Sequence, residues 1–263
     1  MSLAGRRVAT VLAAVLVLAV SACGTSAPSG RSAPPSGHRI TGQITVFAAA
    51  SLTESFTALG KQFEAAHPGT MVTFNFGPSS GLAEQINQGA PADVFASAST
   101  KNMDQVKAAG NAIDPTPFAA NMMEIAVPAD NPAKISTLSD LAASGVKVAL
   151  CQPQVPCGTV AAAVFENARL TVTPVSLEAD VKSVLAKVSL GEVDAGVVYV
   201  TDVKAAGDKV QGIEIPSDVN VSTAYPIATL KAAPNAATAT AFVRYVLSSA
   251  GSAVLSQAGF AKP

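Results

Sequence analysis

Apolar residues from about residue 43 onward alternate between short β-rich runs and stretches with helical spacing. Phe56, Leu59 and Phe63 recur at the i, i+3 and i+7 positions of an amphipathic helix, and the same spacing recurs within residues 181–188. Further helices are predicted at 82–88, around 103–106, at 160–168 and around 242–247. Strands are predicted at 44–47, 71–76, 94–95, 122–127, 146–150, 196–199 and 225–230. Strands separated by single helices predict an α/β fold with parallel sheets that are covered on both faces.

Residues 1–22 have the pattern of a secretory signal. Arg6 and Arg7 precede thirteen residues, 8–20, that are all apolar except Thr10. This run is shorter than the roughly 20 residues of a membrane span, and small residues follow it. The segment therefore predicts an exported protein.

The end of this signal resembles a bacterial lipobox. Residues 20–23 read Val-Ser-Ala-Cys, and the resemblance implies that Cys23 becomes the lipidated N-terminus. An ordinary signal peptide with a chance cysteine is the alternative. In residues 24–38, ten of fifteen are Gly, Ser or Pro, which is typical of a flexible tether. Residues 23–39 are thus predicted to hold the protein on the outer face of the cell membrane.

The other two cysteines form an even pair once Cys23 carries lipid. Export places Cys151 and Cys157 in an oxidising compartment, where we predict a disulfide between them. So short a loop would contribute only about 2 kcal/mol through chain entropy, so its main effect would be to stiffen the loop. Two free thiols are the alternative if the geometry keeps the cysteines apart.

Composition and charge exclude several classes of protein. The chain is 49% hydrophobic and 13% charged, which excludes a disordered protein. The formal net charge is −1; four of the 17 basic residues precede residue 40, so 13 basic and 18 acidic residues remain after it. This mildly acidic balance argues against nucleic acid as a partner.

Few residues in the chain are suited to catalysis. The two histidines, His38 and His67, are not near any reactive Ser or Cys in the sequence, and the motifs of phosphate-binding loops are absent. We therefore predict a binding protein and not an enzyme.

Small polar residues instead stand at four strand-to-helix turns, at 47–52, 76–82, 155–159 and 178–181. Helix N-termini that converge on one point can bind an anion without any cationic side chain. The alternative is that these residues only cap their helices, which is the ordinary role of Ser and Asp there.

Four motifs together resemble the bacterial molybdate-binding proteins, the solute receptors of ABC-type molybdate uptake. They are FAAASL at 47–52, GPSSGLAEQI at 77–86, GAPADVFASA at 89–98 and GVVYVTDV at 196–203. The resemblance runs in order through residues 43–263. It implies the type II periplasmic-binding-protein fold, in which two lobes, each a mixed and mainly parallel sheet flanked by helices, are joined by two crossover strands.

The resemblance also implies boundaries for the two lobes. Lobe 1 would comprise residues 40–121 plus 226–263, and lobe 2 would comprise residues 122–225. The crossover strands would lie at 122–128 and 225–230, with the ligand enclosed between the lobes.

The family's ligand-binding residues correspond to five positions of this chain. Ser51 and Ser79 would donate through hydroxyl and backbone N–H groups, Cys157 and Val181 through backbone N–H groups, and Tyr199 through its phenolic O–H. Cys157 stands where the family commonly has Ala. Molybdenum would be bound only as its oxyanion by these five residues, and no cofactor is implied.

The resemblance implies a lipid-anchored, monomeric receptor that captures molybdate, and also tungstate, and delivers it to an ABC permease. A receptor of the same fold for another tetrahedral oxyanion, such as sulfate, is the first alternative. A thiol–disulfide protein built on Cys151 and Cys157 is the second, although the pair lacks the close spacing of redox CxxC sites.

Overall fold

The computed structural model describes residues 40–263, so the predicted signal at 1–22, the lipidated Cys23 and the tether at 23–39 lie outside the described residues. Nine strands and eight helices occur in the described part. The strands are β1 (Gly42–Ala49), β2 (Thr70–Gly77), β3 (Val94–Ala96), β4 (Ala112–Pro128), β5 (Val148–Cys151), β6 (Ser176–Glu178), β7 (Ala195–Tyr199), β8 (Val210–Glu214) and β9 (Ser222–Leu230). The helices are α1 (Thr53–Ala66), α2 (Ser79–Asn87), α3 (Thr100–Ala108), α4 (Pro156–Asn167), α5 (Val181–Ser189), α6 (Val200–Ala206), α7 (Ala236–Val246) and α8 (Ser249–Ala258).

The strands form two parallel groups that are joined by antiparallel pairs. Their order is β2-β1-β3-β9-β4-β7-β5-β6, and β8 pairs with β4. β1 is parallel to β2 and β3, while β5 is parallel to β6 and β7. β9 is antiparallel to β3 and β4, and β4 is antiparallel to β7 and β8. The alternation of strands and helices predicted the parallel groups but not the antiparallel strands that join them.

β4 belongs to both groups of strands. Its residues 112–122 pair with β9, and residues 123–128 pair with β7 and β8. The sequence predicted only the second part, because Pro115 and Pro117 are unfavourable inside a strand. The structure accommodates both prolines beside shifts in the β4–β9 register.

The hydrophobic core is divided in the same way. One cluster of buried residues draws almost entirely on residues 123–215, whereas two others draw on residues 44–119 and 225–260. Phe63 and Phe242, at the centre of one of them, meet edge to face with ring centroids 5.3 Å apart. Burying such a ring contributes roughly 1.5–3 kcal/mol to the free energy of unfolding. Because the clusters draw on different parts of the chain, each half has a core of its own.

Capping residues explain where several helices begin. α5 begins after Asp180, whose carboxylate accepts the N–H of Ser183 at 3.0 Å. α4 begins four residues before the predicted start, because Pro156 occupies its first position, where a proline is tolerated. The predicted final helix around 242–247 corresponds to α7, and the sequence did not predict α8, which follows it. None of the helices within residues 40–263 has the length and apolar character needed to span a membrane.

Candidate functional site

The five residues assigned through the resemblance line one cleft. Ser51, Ser79, Cys157, Val181 and Tyr199 are each buried, with at most 4% of their surface exposed. Two of them come from the half of the chain that contains β1 and β2, and three come from the half that contains β5, β6 and β7. The cleft therefore lies between the two halves.

Each of these residues follows or ends a strand of a parallel group. Ser51 and Ser79 follow β1 and β2, Cys157 and Val181 follow β5 and β6, and Tyr199 is the last residue of β7. Because the carboxyl ends of parallel strands lie at one edge of a sheet, each group presents its residues at that edge. This arrangement explains how residues up to 148 positions apart come to share one cleft.

Three helix N-termini present backbone donors to the cleft. Ser79 and Val181 are the first residues of α2 and α5, and Cys157 is the second residue of α4. None of their three N–H groups is paired with an acceptor within residues 40–263. The first N–H groups of a helix lack intrahelical partners and carry partial positive charge, which favours an anion.

Three hydroxyl groups complete the lining. The Ser79 hydroxyl oxygen accepts the N–H of Ala98 at 3.0 Å, which leaves its own hydrogen free to donate. The hydroxyl oxygens of Ser51 and Tyr225 lie 2.9 Å apart. The Tyr199 hydroxyl is buried and has no hydrogen-bond partner in the described part of the chain. A buried hydroxyl without a partner is costly, so its position points to a ligand acceptor in the cleft.

Two acids lie near these donors, and each already has a partner. Asp180 lines the cleft and caps α5. Asp202 is fully buried; its Oδ2 accepts the N–H of Tyr199 at 3.2 Å, and its Oδ1 lies 3.0 Å from the Lys182 ammonium. Burial raises the pKa of Asp202 to about 6, against the opposing effect of Lys182.

Lys182 connects the two halves of the chain. Its ammonium lies 2.8 Å from the Glu54 carboxylate in α1, in addition to its contact with Asp202. Burial alone would lower the pKa of Lys182, but the charges of Asp202 and Glu54 outweigh this effect and raise it. Sequence reasoning missed both Lys182 and Asp202, although the motif at 196–203 contains Asp202.

A disulfide holds the turn that carries Cys157. Cys151 and Cys157 are bonded, with their Cα atoms 5.8 Å apart, so the end of β5 is tied to the first turn of α4. Gly158 follows in the same turn, where a Cβ atom would lie 2.0 Å from the Gln152 carbonyl oxygen. The turn is therefore both cross-linked and closely packed.

The cleft offers mainly donors to a ligand. Within residues 40–263 no group of three or more His, Cys, Asp or Glu side chains could hold a metal ion. Five buried positions instead offer N–H and O–H groups from several directions, a set that suits a tetrahedral anion.

Comparisons with known proteins agree with this geometry. A family model described as bacterial extracellular solute-binding protein matches residues 44–261. The molybdate-binding protein ModA of Mycobacterium tuberculosis H37Rv is 45% identical over 255 residues, which cover 96% of this chain and 97% of that protein. The protein of the same name from Escherichia coli K12 is 33% identical, with 83% of this chain and 89% of that protein covered.

A solved structure establishes the fold. The periplasmic molybdate-binding protein of Azotobacter vinelandii matches with a TM-score of 0.75 at 21% identity, covering 84% of this chain and 99% of that chain. The predicted two-lobe, type II periplasmic-binding-protein fold is thus confirmed.

Proposed function

The chain belongs to the ModA family of bacterial extracellular solute-binding proteins, and on this premise we propose that it captures molybdate outside the cytoplasm and delivers it to an ABC permease. As a member of this family it is a binding component of transport and not an enzyme.

The observation that carries the proposal is the set of donors in the cleft. Molybdate at neutral pH is a tetrahedral dianion with only acceptor oxygens. In the proposed complex, Ser51 and Ser79 donate through N–H and O–H groups, Cys157 and Val181 through N–H groups, and Tyr199 through its hydroxyl. Hydrogen bonds to a charged group contribute about 1.5–3 kcal/mol each, so five such positions support a net binding free energy of roughly −8 to −12 kcal/mol.

Further features of the proposal follow from the sequence. Tungstate, a dianion of the same shape, is a second ligand. Residues 40–121 plus 226–263 form lobe 1, residues 122–225 form lobe 2, and the lobes close on the ligand.

The protein acts as a monomer that a lipid on Cys23 anchors to the outer face of the membrane, after removal of residues 1–22. Mass spectrometry of the mature N-terminus tests this anchor.

Calorimetric titration tests the function directly. The protein, freed of ligand, is titrated with molybdate, tungstate, sulfate and phosphate. We expect tight one-to-one binding of molybdate and tungstate and weak binding of sulfate and phosphate. Tight sulfate binding would transfer the function to another oxyanion, and the absence of binding to all four would refute an oxyanion receptor.

A pair of neighbouring serines tests the site. Ser79→Ala removes a lining hydroxyl, and we expect it to weaken molybdate binding by about 1–3 kcal/mol. Ser80→Ala is the matched control, because Ser80 lies in the same helical turn but outside the lining of the cleft. Equal affinities of the two variants would show that the site is wrongly assigned.

A further inference from the structure

The hydroxyl groups that line the cleft differ in how their hydrogens are directed. A backbone N–H can only donate, so the N–H of Ala98 leaves the Ser79 hydroxyl as a donor to the cleft. Ser51 has no such partner among residues 40–263. Its oxygen lies 2.9 Å from the hydroxyl oxygen of Tyr225, and either group could donate to the other. The role of Ser51 toward a ligand therefore depends on Tyr225.

Asn121 determines which way Tyr225 donates. The N–H of Met122 donates to the Asn121 Oδ1 at 3.0 Å, which fixes the orientation of the amide. The Asn121 Nδ2 consequently faces the Thr201 hydroxyl at 2.8 Å and the Tyr225 hydroxyl at 3.5 Å. An amide nitrogen only donates, so the Tyr225 oxygen accepts on that side, which leaves its hydrogen available to donate to Ser51 at 2.9 Å.

The surroundings keep this chain of hydrogen bonds in place. Tyr225 is fully buried and Asn121 is 2% exposed, so water does not compete for their polar atoms. The two residues lie on the paired strands β9 and β4, where Ala119 faces Tyr225 and Asn121 faces Thr223. Burial also raises the pKa of Tyr225, which therefore keeps its proton and remains a donor at neutral pH.

We propose that Tyr225, oriented by Asn121, is a positioning residue that fixes Ser51 as a hydrogen-bond donor and thereby makes the cleft reject anions that retain a proton. Ser79 and Ser51 then both present hydrogens to the ligand. An anion that carries an O–H group would direct its hydrogen at the hydroxyl hydrogens of Ser79 and Ser51, where no lone pair accepts it. This inference rests on the proposed oxyanion function and adds how protonated anions are excluded.

Sulfate and hydrogen phosphate provide the decisive comparison. At about pH 8 both are mainly tetrahedral dianions of similar size, but only hydrogen phosphate retains an O–H group. The ratio of the two affinities depends on whether the hydroxyl groups of the cleft donate or accept. It does not change when a substitution weakens the binding of all dianions equally. Both are measured by competition against molybdate in calorimetry.

Tyr225→Phe removes the donor to Ser51 and leaves the Ser51 oxygen free to accept. We expect molybdate to bind about tenfold more weakly, as for the loss of one hydrogen bond that supports a charged ligand. We also expect the preference for sulfate over hydrogen phosphate to fall at least about threefold, a shift that corresponds to part of one hydrogen bond. Tyr245→Phe is the matched control, because the Tyr245 hydroxyl bonds the Gln62 side chain and not a residue of the cleft.

Asn121→Asp is a second variant of nearly the same shape. The carboxylate accepts from Tyr225 in place of donating to it, so Tyr225 accepts from Ser51 and a lone pair of Ser51 faces the ligand. The added charge weakens every dianion, but the preference for sulfate over hydrogen phosphate should again fall. This variant decides the question if thermal unfolding shows that Tyr225→Phe is poorly folded.

Two results would overturn the inference. An unchanged preference in both variants would show that Tyr225 supports the fold alone, and unchanged molybdate affinity in Tyr225→Phe would show that it does not position Ser51. In either case the wild-type protein would still bind molybdate. Failure of the wild-type protein to bind any oxyanion would instead refute the proposed function.

Discussion

Asp202 is a buried acid whose charge the fold only partly stabilises. It pairs with Lys182 and accepts the N–H of Tyr199, yet burial still raises its pKa to about 6 from an ordinary value of 3.8. The folded protein therefore binds this proton more tightly than the unfolded chain does. It follows that Asp202 makes the free energy of unfolding depend on pH.

Asp202→Asn should remove this dependence. The contribution of Asp202 to the free energy of unfolding is fully present below about pH 4 and is lost as the pH rises to about 6. At about 1.4 kcal/mol per pKa unit, the loss amounts to as much as roughly 3 kcal/mol. Urea unfolding of the two proteins between pH 4 and pH 7 measures it, and a constant difference between them would contradict the pKa shift.

The residues of the site differ in how far the sequence reveals them. Five residues of the cleft lining were assigned through the resemblance to a known family, and the structure brings all five together. Tyr225 and Asn121 gave no such signal, since Tyr225 is 174 positions from Ser51 and Asn121 is 104 positions from Tyr225. Their roles arise from contacts across β4 and β9, which no local pattern encodes.

The turn between β5 and α4 is the element on which the Cys157 donor depends. The disulfide fixes one side of it, and the Gln152 carbonyl packs against Gly158 on the other. Any side chain at Gly158 would force this backbone to shift, because its Cβ atom would overlap with the Gln152 carbonyl oxygen. The geometry of the turn and the direction of the Cys157 N–H are thus coupled.

Gly158→Ala is expected to distort this turn. Its Cβ would lie 2.0 Å from the Gln152 oxygen, so we expect a loss of about 2–3 kcal/mol in the free energy of unfolding and at least tenfold weaker molybdate binding. Gly81→Ala is the matched control, because Gly81 is likewise the third residue of its helix but has its nearest neighbour at 3.5 Å. Urea unfolding and calorimetry compare the two, and equal behaviour would refute the coupling.

The predicted elements match the structure where a single pattern dominates the sequence. Helix α1 and strand β7 are examples, because their apolar residues face one core throughout. The first part of β4 was missed because its prolines are tolerated only through tertiary register shifts. Helix α6 was missed because it begins directly after a buried strand, without an intervening turn. Tertiary context outweighs local propensity at both places.

The two halves of the molecule are joined by an ion pair as well as by β4 and β9. Lys182, next to the donor Val181 in α5, contacts Glu54 in α1 across the cleft. The Glu54 side chain is 53% exposed, so solvent screens the pair and its contribution is modest. The contact forms only when α1 and α5 are close together, so it would stabilise the proposed closed state.

Glu54→Gln should therefore weaken molybdate binding by about threefold, in the 0.2–1 kcal/mol range of exposed ion pairs, and the effect should diminish at high salt. Glu192→Gln is the matched control: Glu192 is also 53% exposed and pairs with a lysine, Lys187, but within one half of the chain. Calorimetry at low and high salt measures both variants. Equal affinities would show that the Glu54 contact plays no part in closure.

Periodicity along the chain predicted the α/β class, and the motifs carried a resemblance that implied the family and five residues of the cleft, because both kinds of pattern depend on neighbours along the chain. Three features emerge only in the folded chain: the joining of the halves by β4 and β9, the contacts that connect Asn121 through Tyr225 to Ser51, and the link from Glu54 through Lys182 to a buried Asp202. The physical reason is that hydrogen-bond direction, burial and charge pairing depend on residues that are distant in sequence and meet only in the folded chain.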